Sequence, residues 1–205
     1  MSLEPRWYST IYGLLFIVGQ GLLTWAFTIV IAVPLSKQKP LSILLTNKRL
    51  RDLGTLTLAF VLLWTYISFS QLIIIWSANL PEEITWYMTR LRGGWQIIGI
   101  LLMLFQFALP FFLLISSRIK SRISILTTVA FGLIAMRLVD LFWIMAPAFH
   151  NTGLHFHWLD IVAPVGLGGL LVSFFFWQLK GRSLIPLNDP RFKDLIGQED
   201  GHSHG

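Results

Sequence analysis

The chain has 205 residues, of which 55% are hydrophobic and only 13% charged, whereas a soluble domain carries roughly 25% charged residues. It contains no cysteine, which excludes disulfides, iron–sulfur clusters and covalently attached c-type haem. The net charge of +6 does not indicate nucleic-acid binding, because the Lys and Arg residues flank apolar segments, where membrane orientation accounts for them.

Five apolar segments are each long enough to cross a bilayer, for which about 20 residues suffice. Inside hydrocarbon a helix satisfies its own backbone hydrogen bonds, so the sequence predicts an all-α integral membrane protein with a bundle of five transmembrane helices. The expected spans are 11–34, 54–76, 95–116, 123–147 and 158–179. They make up one transmembrane domain, 1–187, and a polar tail follows at 188–205.

The basic residues that flank these spans divide unequally between the two faces of the membrane. Counted over the connections, Lys and Arg number twelve on one face and three on the other. The positive-inside rule therefore predicts an outer N-terminus and a cytoplasmic C-terminus. The cytoplasmic set is Lys37, Lys39, Lys48, Arg49, Arg51, Arg118, Lys120, Arg122, Lys180, Arg182, Arg191 and Lys193, and the outer set is Arg6, Arg90 and Arg92.

A short amphipathic stretch, residues 84–92, separates the second and third spans and is expected to form an interfacial helix. Asn79 or the acid at Glu82 could cap its start, and acids in a first turn suit the helix dipole. Aromatic residues suited to the headgroup layer lie near the predicted outer ends of the spans. They are Trp7, Tyr8, Trp76, Trp86, Tyr87, Trp95 and Trp158.

Two opposite charges, Arg137 and Asp140, lie inside the fourth span in the string MRLVDLFW. A spacing of three places them on one helical face, and Arg137 is ~14 Å from the outer end near Ala146, close to mid-membrane. Such charges face protein or internal water and not lipid. Two interpretations stay open at this point: part of a proton path, or a buried ion pair that fixes helix packing.

Histidines cluster in the predicted outer loop that precedes the fifth span. His155 and His157, with Asp160 and the nearby His150, could handle protons or bind a metal, but the spacing does not identify a metal site and none is assigned. No histidine lies within a span. Because b-type haem in a helical bundle takes axial histidines from the helices, this chain is expected to hold no haem.

Several uncharged polar residues also lie inside the predicted spans. Tyr66, Gln71 and Gln106 could line a water-filled channel or a pocket for a quinone headgroup, whereas most such residues are hydrogen-bonding contacts between helices. Gln20, in the VGQG string of the first span, belongs to the same group, and its flanking glycines permit close helix approach. Pro110 is expected to distort the third span.

Five strings distributed along almost the whole chain are distinctive: PRWYSTIYG at 5–13, FSQLIIIWSANLPEEITWY at 69–87, LLISSRIKSR at 113–122, HFHWLD at 155–160 and IPLNDPRF at 185–192. They resemble the ActF-type membrane subunit of bacterial alternative complex III, a quinol:electron-acceptor oxidoreductase. The string at 69–87 is the most specific. The wider group contains the membrane anchors of polysulfide reductase and NrfD-like proteins, and this chain resembles the C-terminal half of the ActF-type subunit.

The resemblance implies a multi-pass subunit of the bacterial inner (cytoplasmic) membrane that binds no cofactor of its own. Its implied partners are a paralogous quinol-oxidising membrane subunit, a multihaem cytochrome c subunit, an iron–sulfur subunit and lipids. Quinol (menaquinol or ubiquinol), c-type haem and iron–sulfur clusters would then belong to other subunits. The implied role is structural, with possible proton conduction, so whether the chain counts as an enzyme stays open.

The sequence departs from that family in two ways. It corresponds to about half of the usual helix number, and Thr55 stands where a lysine often follows the glycine of the DLG string.

The residues alone leave two other functions open: a small independent oligomeric channel or transporter, and a quinone-binding subunit in its own right. The proton-path candidates are Arg137, Asp140, His155, His157 and Asp160. The candidates for a polar or quinone pocket are Tyr66, Gln71 and Gln106.

Overall fold

The computed structural model of the chain describes residues 7, 9–36, 46–120, 122–149 and 153–180. Within those ranges every regular element is helical. In chain order the helices are α1 (Thr10–Leu35), α2 (Asn47–Ala78), α3 (Pro81–Arg90), α4 (Trp95–Ile115), the single turn α5 (Ser117–Lys120), α6 (Ile123–Met145) and α7 (Leu159–Lys180). A 3-10 turn, Ala146–Ala148, extends α6.

Five of these helices, α1, α2, α4, α6 and α7, are long and apolar enough to cross a membrane. The prediction of an all-helical, multi-pass membrane protein is therefore confirmed. The main difference from the expected spans is that α2 begins at Asn47 and not near residue 54. Its extra turns carry the basic residues Lys48, Arg49 and Arg51, and Leu50 among them is buried.

The chain divides into two compact units. One comprises Met1–Ile31 and Asn47–Phe156, and the other comprises Ala32–Thr46 and His157–Gly205. The first unit contains α1 as far as Ile31 and all of α2, α3, α4, α5 and α6. The second contains α7, which has Pro164 within it and ends on Lys180. The predictions for His150 and for the tail at 188–205 concern residues outside the described ranges.

Each spanning helix of the first unit buries one narrow stripe and leaves the rest of its surface apolar and exposed. On α2 the buried residues recur at intervals of three or four: Leu50, Gly54, Thr57, Val61, Trp64, Ile67, Gln71 and Ile75. Large side chains between them, such as Leu63 and Phe69, are exposed. This pattern suits a helix that faces lipid on most of its circumference, because lipid does not penalise exposed apolar surface.

Glycine on α1 permits the close helix approach expected from the VGQG string. A Cβ atom at Gly21 would overlap the ring of Phe60 on α2, and one at Gly19 would overlap the guanidinium group of Arg137 on α6. Neither contact is possible for a real side chain without movement. The two glycines therefore set how closely α1 packs on its neighbours.

The link between α2 and α3 is a tight turn whose geometry differs from the expected cap. Asn79 adopts a left-handed conformation (φ 49°) and its N–H donates to the carbonyl of Ile75, so it ends α2 in the way that αL residues commonly do. The N-cap of α3 is Leu80, which makes no side-chain capping bond. The expectation that Asn79 or an acid caps α3 is therefore wrong, and Pro81 with Glu82 and Glu83 in the first turn provides the N-terminal signal instead.

Five aromatic side chains pack together where α1, α3 and α6 meet, and we call them the aromatic cluster: Trp7, Tyr12, Trp86, Tyr87 and Trp143. Trp7 and Trp86 stack with ring centroids 4.9 Å apart, and Trp143 meets Trp86 edge to face at 5.7 Å. Such ring pairs add to the free energy gained by apolar burial. The cluster ties the interfacial helix α3 to the spanning helices.

Candidate functional site

The ion pair predicted on α6 is present and buried. Arg137 Nη1 donates to Asp140 Oδ2, and the two side chains are 1% and 4% exposed. The spacing of three residues on a helix brings the groups together. As expected for intramembrane charges, the pair faces protein and not lipid.

The guanidinium group lies directly against the backbone of α1. Gly19 occupies the contact point, and the ring of Phe16 lies 5.6 Å from the guanidinium carbon. Within the described residues, Nε and Nη2 of Arg137 have no hydrogen-bond partner. The arginine is thus enclosed by helix α1 but only partly satisfied, an arrangement that suits an internal water molecule.

Gln106 is the third polar group of this cluster, and an irregular turn of α4 carries it. Residues Met103–Ala108 form a π-helical segment in which the Leu109 N–H bonds the carbonyl of Leu104, five residues earlier. Pro110 has no N–H to donate to the carbonyl of Gln106, four residues before it, and so favours a break in the regular ladder at this point. The segment inserts the fully buried Gln106 beside the Asp140 carboxyl group. Although it lies beside that carboxyl, neither polar atom of its amide makes a hydrogen bond of normal geometry with the described part of the chain.

Arg137, Asp140 and Gln106 together form what we call the polar cluster. π-helical turns are rare and often mark functional sites, and this one sits at the buried amide. Sequence reasoning identified all three residues but did not foresee the π turn. The proline at 110 was the available signal.

An apolar cleft of about 490 Å³ adjoins the polar cluster and is walled by α1, α2, α3, α4 and α6. Asp140 is one of its wall residues, as are the candidates Tyr66 and Gln71. Ser9 Oγ donates to Gln71 Oε1 at 2.7 Å, which fixes the amide. Tyr66 is 69% exposed. The structure thus brings Tyr66, Gln71 and Asp140 to one cleft, whereas Gln106 is not among the residues that line it.

Tyr87 on the interfacial helix α3 is another wall residue of the cleft. Burial raises the pKa of its hydroxyl far above the usual value, and the opposing effect of Arg90 is smaller. The phenol is therefore neutral at physiological pH and can donate a hydrogen bond.

Arg90 is a buried residue that sequence reasoning placed among the surface charges. It is 1% exposed and donates to the carbonyls of Trp86 at 2.9 Å and Ile144 at 2.7 Å. Its guanidinium carbon also lies 3.7 Å from the ring centroid of Trp86. A cation at the C-terminal end of α6 is favourable because the helix dipole is negative there.

The candidates His157 and Asp160 belong to the second unit, where they contact each other at the start of α7. The His157 N–H donates to Asp160 Oδ2 at 2.9 Å, and His157 Nδ1 accepts from the Leu159 N–H at 3.3 Å. This pattern resembles a capping box at the start of α7, although the imidazole accepts from the residue two positions later and not three. Both side chains therefore have a structural use. Among the described residues no group of three His, Cys, Asp or Glu side chains is placed to hold a metal. His155, exposed in the first unit, is not part of the polar cluster.

Thr55 lies beside a lysine side chain that is distant from it in the sequence. Lys120 Nζ on α5 donates to Thr55 Oγ1 at 3.2 Å, and its aliphatic stem packs over Gly54. An ammonium group therefore lies beside Thr55 although residue 55 is not itself a lysine. Only the tertiary contact, across 65 residues of sequence, shows this.

Comparison with models of known protein families gave no match, and comparison with curated proteins gave no significant match.

Proposed function

We propose that this chain is a membrane subunit of a bacterial quinol-oxidising respiratory complex, without a redox centre of its own. The sequence strings given above, with residues 69–87 the most specific, support this class. In the structure this stretch forms the end of α2, the Asn79 turn and most of α3. It therefore contributes Phe69, Gln71 and Leu72 to the lining of the cleft, together with Trp86 and Tyr87, which are two of the five members of the aromatic cluster. The observation that supports a functional role best is the buried polar cluster adjoining that cleft.

Within this function, the polar cluster is a step in a proton path. A carboxyl group near mid-membrane, paired with Arg137 and adjoining the Gln106 amide, can exchange a proton with water that enters the cluster. The incompletely bonded atoms of Arg137 and Gln106 provide places for that water. The competing structural interpretation requires only the ion pair and does not need the amide at 106 to lie beside Asp140.

The test is to isolate the chain from native membranes and to compare wild type with Asp140→Asn, which is nearly isosteric. We expect a multihaem cytochrome, an iron–sulfur subunit and a second membrane subunit to co-purify with both. The variant should move fewer protons per electron in vesicles, while uncoupled quinol oxidation remains. Isolation without redox partners would contradict the proposed complex. Normal assembly with a normal proton-to-electron ratio would remove Asp140 from the path.

We also propose that the N-terminus is outside and the C-terminus is in the cytoplasm, supported by the division of basic residues. A reporter fused after Gly205 should be active only in the cytoplasm. Periplasmic activity of that fusion would contradict the orientation. Arg90→Met removes one of the three basic residues on the predicted outer face, which increases the charge asymmetry, so it should leave the fusion result unchanged.

A further inference from the structure

Two wall residues of the cleft carry buried hydrogen-bond donors that have no protein partner within the described residues: Trp7 Nε1 and Trp64 Nε1. The two side chains are more than nine-tenths buried, with exposures of 4% and 8%. The hydroxyl of Ser68, also a wall residue, is shielded and has no partner in the same ranges. Leaving a shielded donor unpaired is unfavourable, and three of them at one otherwise apolar cleft is an unusual concentration.

Two of these donors are arranged along one face of α2. Trp64 and Ser68 are four residues apart, which places them one helical turn or ~6 Å from each other. Gln71, a turn further along, has its amide oxygen engaged by Ser9, so its amide N–H groups are the part left to face a ligand. The cleft thus offers a row of neutral donors against apolar walls.

These features define the ligand chemically. Apolar walls disfavour a charged or strongly hydrated molecule, while the row of donors requires oxygen acceptors. The volume of about 490 Å³ falls in the range of small-molecule sites. The rings of Tyr66 and Phe69 at the wall are exposed on the surface of a candidate spanning helix, which suits entry of a ligand from the membrane.

We infer that this cleft binds a membrane-soluble molecule whose apolar body carries carbonyl oxygens, which accept hydrogen bonds from Trp64, Ser68 and Gln71. A quinone ring and the ester group of a membrane lipid share this chemistry. The preference for a quinone rests on the proposed function, whereas binding of the carbonyl group rests on the cleft alone. Because Trp64 Nε1 and Ser68 Oγ are shielded, the ligand engages them after a small rotation of the side chains.

The experiment measures equilibrium binding of a labelled decyl-chain naphthoquinone to the full chain in nanodiscs, together with whatever co-purifies. We expect saturable binding at one site per chain. Ser68→Ala and Trp64→Phe should each weaken it about fivefold to tenfold, the value of one hydrogen bond. Neither change removes a protein hydrogen bond that the structure shows, so folding should be retained.

Matched controls separate lost donors from general damage. Ser70→Ala removes a hydroxyl that does not line the cleft. Trp95→Phe removes, outside the cleft, another buried indole N–H that has no partner among the described residues. Both should bind as wild type does. Equal weakening in the controls, no saturable binding, or equally strong competition by decylnaphthalene, which lacks carbonyls, would overturn the inference.

The choice of lipid identifies the natural source of the carbonyl. If the naphthoquinone binds equally in nanodiscs of ester-linked and ether-linked phosphatidylglycerol, the site is assigned to a quinone. If it binds well only in ether-linked discs, the lipid ester occupies the same donors and is the native ligand. Absence of redox subunits from the preparation would contradict the proposed complex without affecting this binding measurement.

Discussion

Asp140→Leu should destabilise the folded chain by about 3–5 kcal/mol, because it leaves the guanidinium of Arg137 buried and unpaired. Arg137 is 1% exposed and enclosed by the α1 backbone at Gly19, so it cannot turn toward water. Arg137→Met should have a comparable effect through the uncompensated carboxylate. The double change Arg137→Met with Asp140→Leu should recover part of the loss, since both buried charges are then absent.

The measurement is the yield of monodisperse protein in detergent together with its unfolding midpoint. Asp52→Leu is the control, because Asp52 is an exposed carboxylate on α2 and its loss should change stability by no more than about 0.5 kcal/mol. If either single change at the pair costs as little as the control, the pair contributes nothing to the fold. If the double variant is as unstable as the sum of the singles, the two charges act independently.

Arg90→Met should lower the unfolding midpoint by about 6–12 °C, which corresponds to about 3 kcal/mol in a chain of this size. The change removes charged donors from the carbonyls of Trp86 and Ile144, and bonds to charged groups contribute about 1.5–3 kcal/mol each. It also removes the cation stacked on Trp86. Arg90→Lys should be intermediate, because one ammonium lacks the planar fork that reaches both carbonyls.

Arg92→Met provides the matched control, since it removes the same charge two residues away from an exposed side chain. It should change the midpoint by less than about 2 °C. Equal shifts in the two variants would mean that Arg90 acts only through its charge on this face of the membrane and not through its contacts.

The candidate site was only partly predictable. Arg137 and Asp140 were predictable as a pair because both lie on one helix and their spacing fixes their direction. The role of Gln106 was not predictable, because the direction of its side chain depends on the π turn at Met103–Ala108. That turn shifts the helical register by one residue. The cap formed by His157 and Asp160 was also missed, since a histidine in the capping position is not one of the usual cap residues.

The sequence by itself determined the five spanning helices and the all-helical class. The free energy of moving apolar side chains from water into lipid and the hydrogen bonding of a helical backbone are local properties. A segment of about 20 residues has both of them without its neighbours. Only the tertiary structure decided that Arg90 is buried against the end of α6, that Lys120 reaches Thr55, and that Trp64, Ser68 and Gln71 line a cleft with Asp140. These contacts join residues tens of positions apart, and they depend on how closely helices approach at glycines such as Gly19. In a membrane every apolar face is equally compatible with lipid, so local hydrophobicity does not specify which faces meet.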